Sequence, residues 1–426
     1  MRPLLRGLLP FLLFALTGCG NGTLADIWDS FPEEAFNPPG DGGGGGGGGG
    51  GATLEEIAAI AGGQGVTGTV TNISLATVAG ETFAFLSAGA EGCHVVDVTA
   101  PDLLNAQSYV TTIRPAALTA PAEIAGGRVD ATAVVDGTYL VCIAVAPAAP
   151  NAVSVFHIPT LINAASASPP TDISAAFVPP ATPGTDAIVV TGDPLGKGGG
   201  VSGAGGQFFV ATGTAVARGA VTGTPPAAGW TLVTAALDLG TPAFTTVTDV
   251  VVNATTAVYA SGKRSDGKFG FAVLANPVIP IPQPPTFVEV LGTIQSVADS
   301  TIAAAGNYPL DLAIDTLNLY VTGNNELLVY NATNPFLPAL VTTVTSTGSK
   351  TIAVAGSGGA FAVGAGDAVR VGTNLLGQAR VTGSLTFPGT YTIRGVAIRS
   401  TAEGIFFLVC AGTGGMRVVR TPSTPP

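Results

Sequence analysis

The chain has 426 residues, including 60 Gly and 32 Pro, and only 10% of its residues are charged. Its net charge of −11 argues against a nucleic-acid ligand, because phosphate contacts need clustered Lys and Arg. The length allows two or three average domains, although all-β folds of this size also occur as one domain. Most apolar residues come in short runs broken by Gly, Pro, Asn and Asp, a pattern typical of strands and turns.

The N-terminus has the features of an export signal. Arg2 and Arg6 supply positive charge, and the apolar stretch from residue 4 to 16 is too short to span a bilayer. It ends in Leu16-Thr17-Gly18-Cys19, which resembles the lipobox of bacterial lipoproteins. A plain secretory signal with a chance cysteine is the alternative.

The lipobox resemblance implies a location. Residues 1–18 would be cleaved as a signal peptide, and Cys19 would carry a diacylglycerol on its thiol and an acyl chain such as palmitate on its amine. Several acyl chains hold a soluble domain at a membrane durably. Gly20 follows the cysteine in place of Asp, which in that family favours the outer membrane or the cell surface of the bacterial envelope.

Residues 19–52 are predicted to be the lipidated cysteine and a linker. The segment contains Pro38-Pro39 and an uninterrupted glycine run from residue 42 to 51, and glycine chains behave as flexible coils. We therefore expect a tether, with local docking of Trp28, Phe31 and Phe36 on the membrane or the domain as the alternative. Residues 53–426 form the predicted globular domain.

At the start of that domain, Leu54, Ile57 and Ile60 recur at helical spacing. This pattern predicts a short helix over residues 53–61.

Internal repeats decide the predicted fold. The segment 94–104 aligns without gaps with 327–337, and 271–277 gives a third copy, with weaker copies at 153–159, 368–372 and 416–420. Two further strand patterns precede most copies, as at 308–323 and 247–262. Each full unit thus supplies four short strands in about 40 to 60 residues, which is the size of one β-propeller blade.

These units resemble the LVIVD repeat, a bacterial propeller family. Cys93–Val98 reads Cys-His-Val-Val-Asp-Val and is the nearest match. In the gap-free alignment Asp97 is replaced by Tyr330, and residues 185–240 depart from the pattern. The resemblance implies a propeller fold and no common chemistry.

We predict an all-β, seven-bladed β-propeller with blades starting near residues 73, 130, 186, 247, 309, 350 and 393. Six or eight blades, or a two-sheet sandwich, are the alternatives. The last blade has three evident strands, and the segment Gly65–Thr71 resembles an orphan outer strand. We expect this segment to pair with the last blade and close the ring, which removes two open sheet edges.

Residue types that carry chemistry are scarce. The two histidines, His94 and His157, have apolar neighbours and lack the converging ligands of a zinc site. Cys93, Cys142 and Cys410 are expected to be buried thiols, with a Cys93–Cys142 disulfide as the alternative. The glycine-rich loop at 192–200 lacks the spacing and the Ser/Thr of a phosphate-binding loop.

The sequence favours a non-catalytic binding or scaffold module with no cofactor or metal, held at a membrane by its lipid and recognising an unidentified protein or glycan. Adhesion or envelope assembly is a related role, and a metal-assisted hydrolase with its site in the central channel is the alternative. Asp249, Asp311 and Arg394 stand near the starts of first strands, so they are the candidate channel ligands. The other interpretation is that they form hydrogen bonds between blades.

Overall fold

A computed structural model of the chain describes most of residues 52–421. The described ranges are 52–114, 128–145, 151–167, 173–181, 187–188, 200–223, 228–233, 237–253, 256–275, 285–290, 311–315, 317–322, 326–345, 351–375, 378–387 and 391–421. The predicted signal peptide, Cys19 and the glycine-rich linker up to residue 51 lie outside these ranges. Within the described part, no helix is long and apolar enough to cross a lipid bilayer.

Two strands, β1 (Ala52–Thr53) and β2 (Glu55–Ile60), precede the first complete blade. Blade 1 contains β3 (Asn72–Val78), β4 (Glu81–Ser87), β5 (Cys93–Asp97) and β6 (Tyr109–Ile113). Blade 2 contains β7 (Arg128–Val135), β8 (Tyr139–Val145), β9 (Asn151–His157), β10 (Phe177–Val178) and β11 (Ala187–Ile188). The helix α1 (Ile158–Ser166) lies between β9 and β10. Blade 3 contains β12 (Val201–Ala204), β13 (Gln207–Ala211), β14 (Val216–Thr222) and β15 (Gly229–Val233).

The remaining blades follow the same order. Blade 4 contains β16 (Phe244–Asn253), β17 (Ala257–Arg264), β18 (Phe269–Ala275) and β19 (Thr286–Glu289). Blade 5 contains β20 (Leu312–Ile314), β21 (Asn318–Thr322), β22 (Glu326–Asn331) and β23 (Ala339–Thr345). Blade 6 contains β24 (Thr351–Ser357), β25 (Ala360–Ala365), β26 (Ala368–Leu375) and β27 (Gln378–Thr386). Blade 7 contains β28 (Gly395–Thr401), β29 (Gly404–Cys410) and β30 (Met416–Arg420), and β2 is its outer strand.

The seven sheets form a closed ring. The first strand of each blade contacts the first strand of the next, and β28 of blade 7 contacts β3 of blade 1. Seven apolar clusters fill the spaces between neighbouring blades, one at each interface. Because the apolar residues lie on both faces of each sheet, a blade buries them only by packing against two neighbours. The predicted seven-bladed β-propeller is confirmed.

The ring is closed by residues 55–60. Strand β2 pairs antiparallel with β30, and Arg417 forms an ion pair with Glu56 at 2.7 Å. Closure by an N-terminal strand was predicted, but the strand chosen, residues 65–71, was wrong: within it, Val70 forms one isolated bridge to Gly412.

The helix predicted over residues 53–61 was also wrong, because this segment supplies β2. The free edge of β30 gives its backbone groups hydrogen-bonding partners along most of the segment, and such pairing overrides a weak helical pattern. Leu54, just before the strand, and Ile60, its last residue, are both buried. The two-residue strand β1, immediately before it, pairs parallel with β27 of blade 6.

Two other sequence interpretations need correction. Blade 3 begins at Val201, not near residue 186, because residues 187–188 pair with β9 of blade 2. The repeats also align one residue away from the gap-free alignment. Asp97 Oδ1 accepts the N–H of Thr99, and Asn331 Oδ1 accepts the N–H of Thr333, both at 2.8 Å. The residue that corresponds to Asp97 is therefore Asn331 and not Tyr330.

The ring has two faces, which we name by the strand ends they carry. The first and third strands of each blade end at the lower face, where the second and fourth strands begin. The second and fourth strands end at the upper face, where the first and third strands begin. First strands therefore run from the upper face to the lower face, and outer strands such as β27 run in the opposite direction.

Candidate functional site

The centre of the ring holds a cavity of about 300 Å³. All seven first strands or the residues just before them contribute to its wall. The lining residues are Asn72, Ile73, Ser74, Leu75, Ala131, Thr132, Ala133, Val134, Gly200, Val201, Ser202, Gly203, Asp249, Val250, Val251, Asp311, Leu312, Val354, Gly395 and Val396. This is the central channel in which sequence analysis placed the candidate ligands.

Two of the three predicted residues line the cavity, and both carboxylates connect neighbouring blades. Asp249 of blade 4 accepts the N–H of Leu312 in blade 5 at 2.8 Å through Oδ2. Asp311 of blade 5 accepts the N–H of Val354 in blade 6 at 2.8 Å through Oδ2. A carboxylate that accepts a backbone N–H group is held in one position by that hydrogen bond. These contacts agree with the interpretation in which the aspartates join blades.

Two further side chains, which the sequence pattern did not single out, make the same kind of contact. Asn72 of blade 1 accepts the N–H of Thr132 in blade 2 through Oδ1 at 3.2 Å. Ser202 of blade 3 accepts the N–H of Val252 in blade 4 through Oγ at 3.2 Å. Asn72 precedes its blade's first apolar run as Asp311 does, so an alignment of strand starts across the repeats would have found it.

Gly200, in the wall between these groups, allows blade 3 to approach Asp249 closely. A Cβ atom built on Gly200 would lie 1.6 Å from Asp249 Oδ1 and 2.7 Å from its Cγ. Only glycine leaves room here for the carboxylate, which is 8% exposed. Asp249 Oδ1 also accepts the N–H of Val250 at 2.8 Å, so both carboxylate oxygens are occupied.

The third predicted residue, Arg394, is not among the residues that line the cavity. In blade 7, Gly395 pairs with Cys410 and corresponds to Asn72, which pairs with Ser87 in blade 1. Arg394 stands one position earlier, so its side chain begins on the opposite side of the strand. The prediction that Arg394 occupies a place comparable to those of the two aspartates was wrong.

A second set of carboxylates joins blades at the lower face. Asp136 in the first turn of blade 2 accepts the N–H groups of Gly205 (2.7 Å) and Gly206 (2.5 Å) in the first turn of blade 3. Asp315 of blade 5 accepts the N–H of Gly359 in blade 6 at 3.3 Å. The sequence pattern predicted turns at such positions, and the structure adds that the turn carboxylates also bind the next blade.

Both histidines have structural contacts. His94 is 1% exposed, and its Nε2–H donates to the carbonyl of Thr67 at 2.8 Å while Nδ1 accepts from the Thr112 hydroxyl. Burial lowers the pKa of His94 and therefore favours the neutral ring. His157 accepts the N–H of Thr160 at the start of α1, and burial lowers its pKa as well.

The three described cysteines, Cys93, Cys142 and Cys410, are buried free thiols. Cys93 and Cys142 belong to the same apolar cluster between blades 1 and 2. Hydrogen bonding with Cys93 and then burial raise the pKa of the Cys142 thiol well above its ordinary value. The two thiols therefore face each other across the interface, and no disulfide joins them.

Two remaining sequence features concern ligands. Among the described residues, no group of three or more His, Cys, Asp or Glu side chains could hold a metal ion. The glycine-rich loop at 192–200 lies outside the described ranges except for Gly200.

Most of the exposed large apolar side chains in the described part of the chain lie at the lower face, and Val381 lies midway along an outer strand. Among the described residues they are Leu103, Leu317, Leu337, Leu340, Val341 and Val381. Leu103 and Leu337 follow the third strands of blades 1 and 5 at corresponding positions and are 67% and 66% exposed. The other four lie in the first turn of blade 5 or in the outer strands of blades 5 and 6.

No family model and no curated protein matches the sequence. Among solved structures, the β-propeller domain of Cps50 (Swd1) from Myceliophteria thermophila has a TM-score of 0.51 at 11% identity, covering 87% of this chain and 100% of that one. The extracellular domain of the B. thetaiotaomicron system BT4673 has a TM-score of 0.50 at 12% identity, covering 86% of this chain. This chain spans 40% of the length of that protein. At such identities the likeness shows the propeller fold alone.

Proposed function

We propose that this chain is a lipoprotein of a bacterial cell envelope that presents its propeller as a non-catalytic binding or scaffold module. In this proposal residues 1–18 are removed, Cys19 carries the lipid, and residues 20–52 tether the ring to the outer membrane or cell surface. The pattern Leu16-Thr17-Gly18-Cys19 supports the anchor. The bound partner is a protein or a glycan.

One observation carries the choice of binding over catalysis. The carboxylates in the cavity wall, Asp249 and Asp311, accept backbone N–H groups from the next blade. A general acid or base must reach the substrate proton directly or through one water, whereas one oxygen of each of these carboxylates, Oδ2, bonds the next blade. The propeller is therefore better suited to present a fixed surface than to transfer protons.

The lipid anchor is tested by metabolic labelling with an alkyne-bearing palmitate, followed by fractionation of the envelope. The wild-type chain should incorporate the label and sediment with membranes, whereas Cys19→Ala should remain unlabelled. Cys410→Ala is the matched control, because that buried thiol should not affect labelling. Equal labelling of wild type and Cys19→Ala would contradict the anchor.

The binding role is tested by chemical cross-linking in intact cells, followed by capture of the chain. A partner recovered with both wild type and Cys19→Ala is bound through the propeller, whereas one recovered with wild type alone is associated through the lipid. The hydrolase alternative predicts a hydrolytic activity of the purified chain that Asp311→Asn abolishes while the fold is retained. Detection of such an activity would replace the binding role.

A further inference from the structure

The direction in which the chain enters the ring bears on how a lipid-anchored propeller is oriented. Strand β1 pairs parallel with β27, with Ala52 opposite Gly383 and Thr53 opposite Ser384. Since β27 runs from the lower face to the upper face, β1 does the same. Its N-terminal end therefore points to the lower face, and this is the side from which the segment carrying Cys19 joins the ring.

Four exposed leucines of the described residues lie on the same face and on the same part of the ring. Leu317, Leu337 and Leu340 belong to blade 5 and Leu103 to blade 1. The chain enters between blades 6 and 7, so these residues lie on both sides of the entry point. Single exposed leucines are common on soluble proteins, but four on one face, close to where the segment carrying the anchor joins the ring, are the pattern of a contact surface.

We infer that the lower face of blades 5, 6, 7 and 1 is turned toward the lipid surface and that its leucines contact the lipid. This inference rests on the proposed anchor and adds an orientation to it. The upper ends of the first strands, where the cavity begins, then lie on the side away from the membrane. A ligand can reach that side from the surrounding medium.

The lower face of these blades carries charges of both signs. Asp102 stands next to Leu103, and Glu403 occupies the first turn of blade 7; both are exposed. Arg399, near the end of β28, and Arg420, at the end of β30, lie at the same face. This mixed charge does not select an ionic headgroup, so a vesicle of zwitterionic phosphatidylcholine is a suitable probe of the contact.

The orientation is tested with tryptophan probes on the full chain held at vesicles containing brominated phosphatidylcholine. Trp28 is replaced by Phe, and Trp230 is fully buried and gives a constant background. Leu337→Trp places a probe on the lower face, and Lys268→Trp, at a side chain 49% exposed, is the matched control on the upper face. We expect the lipid to quench the probe at position 337 and not the one at position 268.

The chain is attached to the vesicle without its own lipid, so that the orientation of the ring is tested independently of the proposed lipid anchor. Cys19 is replaced by Ala, and a hexahistidine tag placed just before it binds nickel-chelating lipid. Quenching of both probes, of neither, or of the upper-face probe alone would overturn the orientation whatever the outcome of lipid labelling.

Discussion

The hydrogen bond from the N–H of Leu312 to Asp249 joins blades 5 and 4. We therefore predict a large loss of stability when the carboxylate of Asp249 is removed. Its two oxygens accept the N–H groups of Val250 and Leu312, each at 2.8 Å, and the residue is 8% exposed. Hydrogen bonds to a charged group are worth about 1.5–3 kcal/mol each. The cost of burying the carboxylate offsets part of the sum, so Asp249→Ala should reduce the free energy of unfolding by about 3 kcal/mol.

Asp249→Asn separates geometry from charge. The amide keeps the size of the side chain and one acceptor oxygen, but its NH₂ group faces the second backbone donor. We therefore expect a loss of about 1–2 kcal/mol for Asp249→Asn. Asp102→Ala, at an exposed turn, is the matched control and should stay within about 0.5 kcal/mol of wild type.

The assay is urea unfolding at pH 7.5, followed by the fluorescence of the fully buried Trp230 in a chain with Trp28 replaced by Phe. Total stabilities of about 5–15 kcal/mol are usual, so a loss of about 3 kcal/mol gives a clear shift of the midpoint. If Asp249→Ala unfolds at the same urea concentration as Asp102→Ala, the carboxylate does not hold the blades together and the reasoning is refuted.

Three further predictions concern other parts of the ring. Gly200→Ala should lower the unfolding midpoint because its Cβ would collide with Asp249 Oδ1. Gly63→Ala, whose Cβ would meet no atom within 4 Å, should cost less, and equal effects would contradict the close approach. Ile60→Asp should open the ring at blade 7, because it places a charge at a fully buried position. Limited proteolysis should then cleave the chain near β2. A cleavage pattern like that of wild type would argue against closure of the ring by this strand. Burial lowers the pKa of His94 from its ordinary 6.5, so its contribution to stability is fully present above pH 6.5 and is lost as the pH falls toward the lowered value. His94→Gln should therefore flatten the decline in unfolding midpoint between pH 7.5 and 5.5. An unchanged slope would show that other groups cause the decline.

The repeats made the architecture predictable from the sequence, whereas their register was not. Short apolar runs at regular spacing can be buried only when similar units pack side by side, so the β-propeller and its seven blades followed from the pattern. The gap-free alignment nevertheless placed Tyr330 opposite Asp97. The hydrogen bonds of the turn select Asn331 instead, because both side chains accept the N–H two residues further on.

The candidate site was predictable only in part for a related reason. Asp249 and Asp311 were found because they precede apolar runs, but that criterion also selected Arg394, one residue out of register. A shift of one residue moves a side chain to the other face of a strand, and the sequence of a single blade does not reveal such a shift. Contacts such as Asn72 to Thr132 join residues of different blades, so they exist only after the ring has formed.

The sequence by itself determined the local patterns of this protein: the lipobox-like motif that ends at Cys19, the glycine-rich segment, and the succession of short strands and turns. Each of these depends on residues that are neighbours in the chain. The tertiary structure decided which strand closes the ring, which side chains line the cavity and on which face the leucines are exposed. Residues 55–60 form a strand because β30 offers them a free edge, and that edge lies about 360 residues away along the chain.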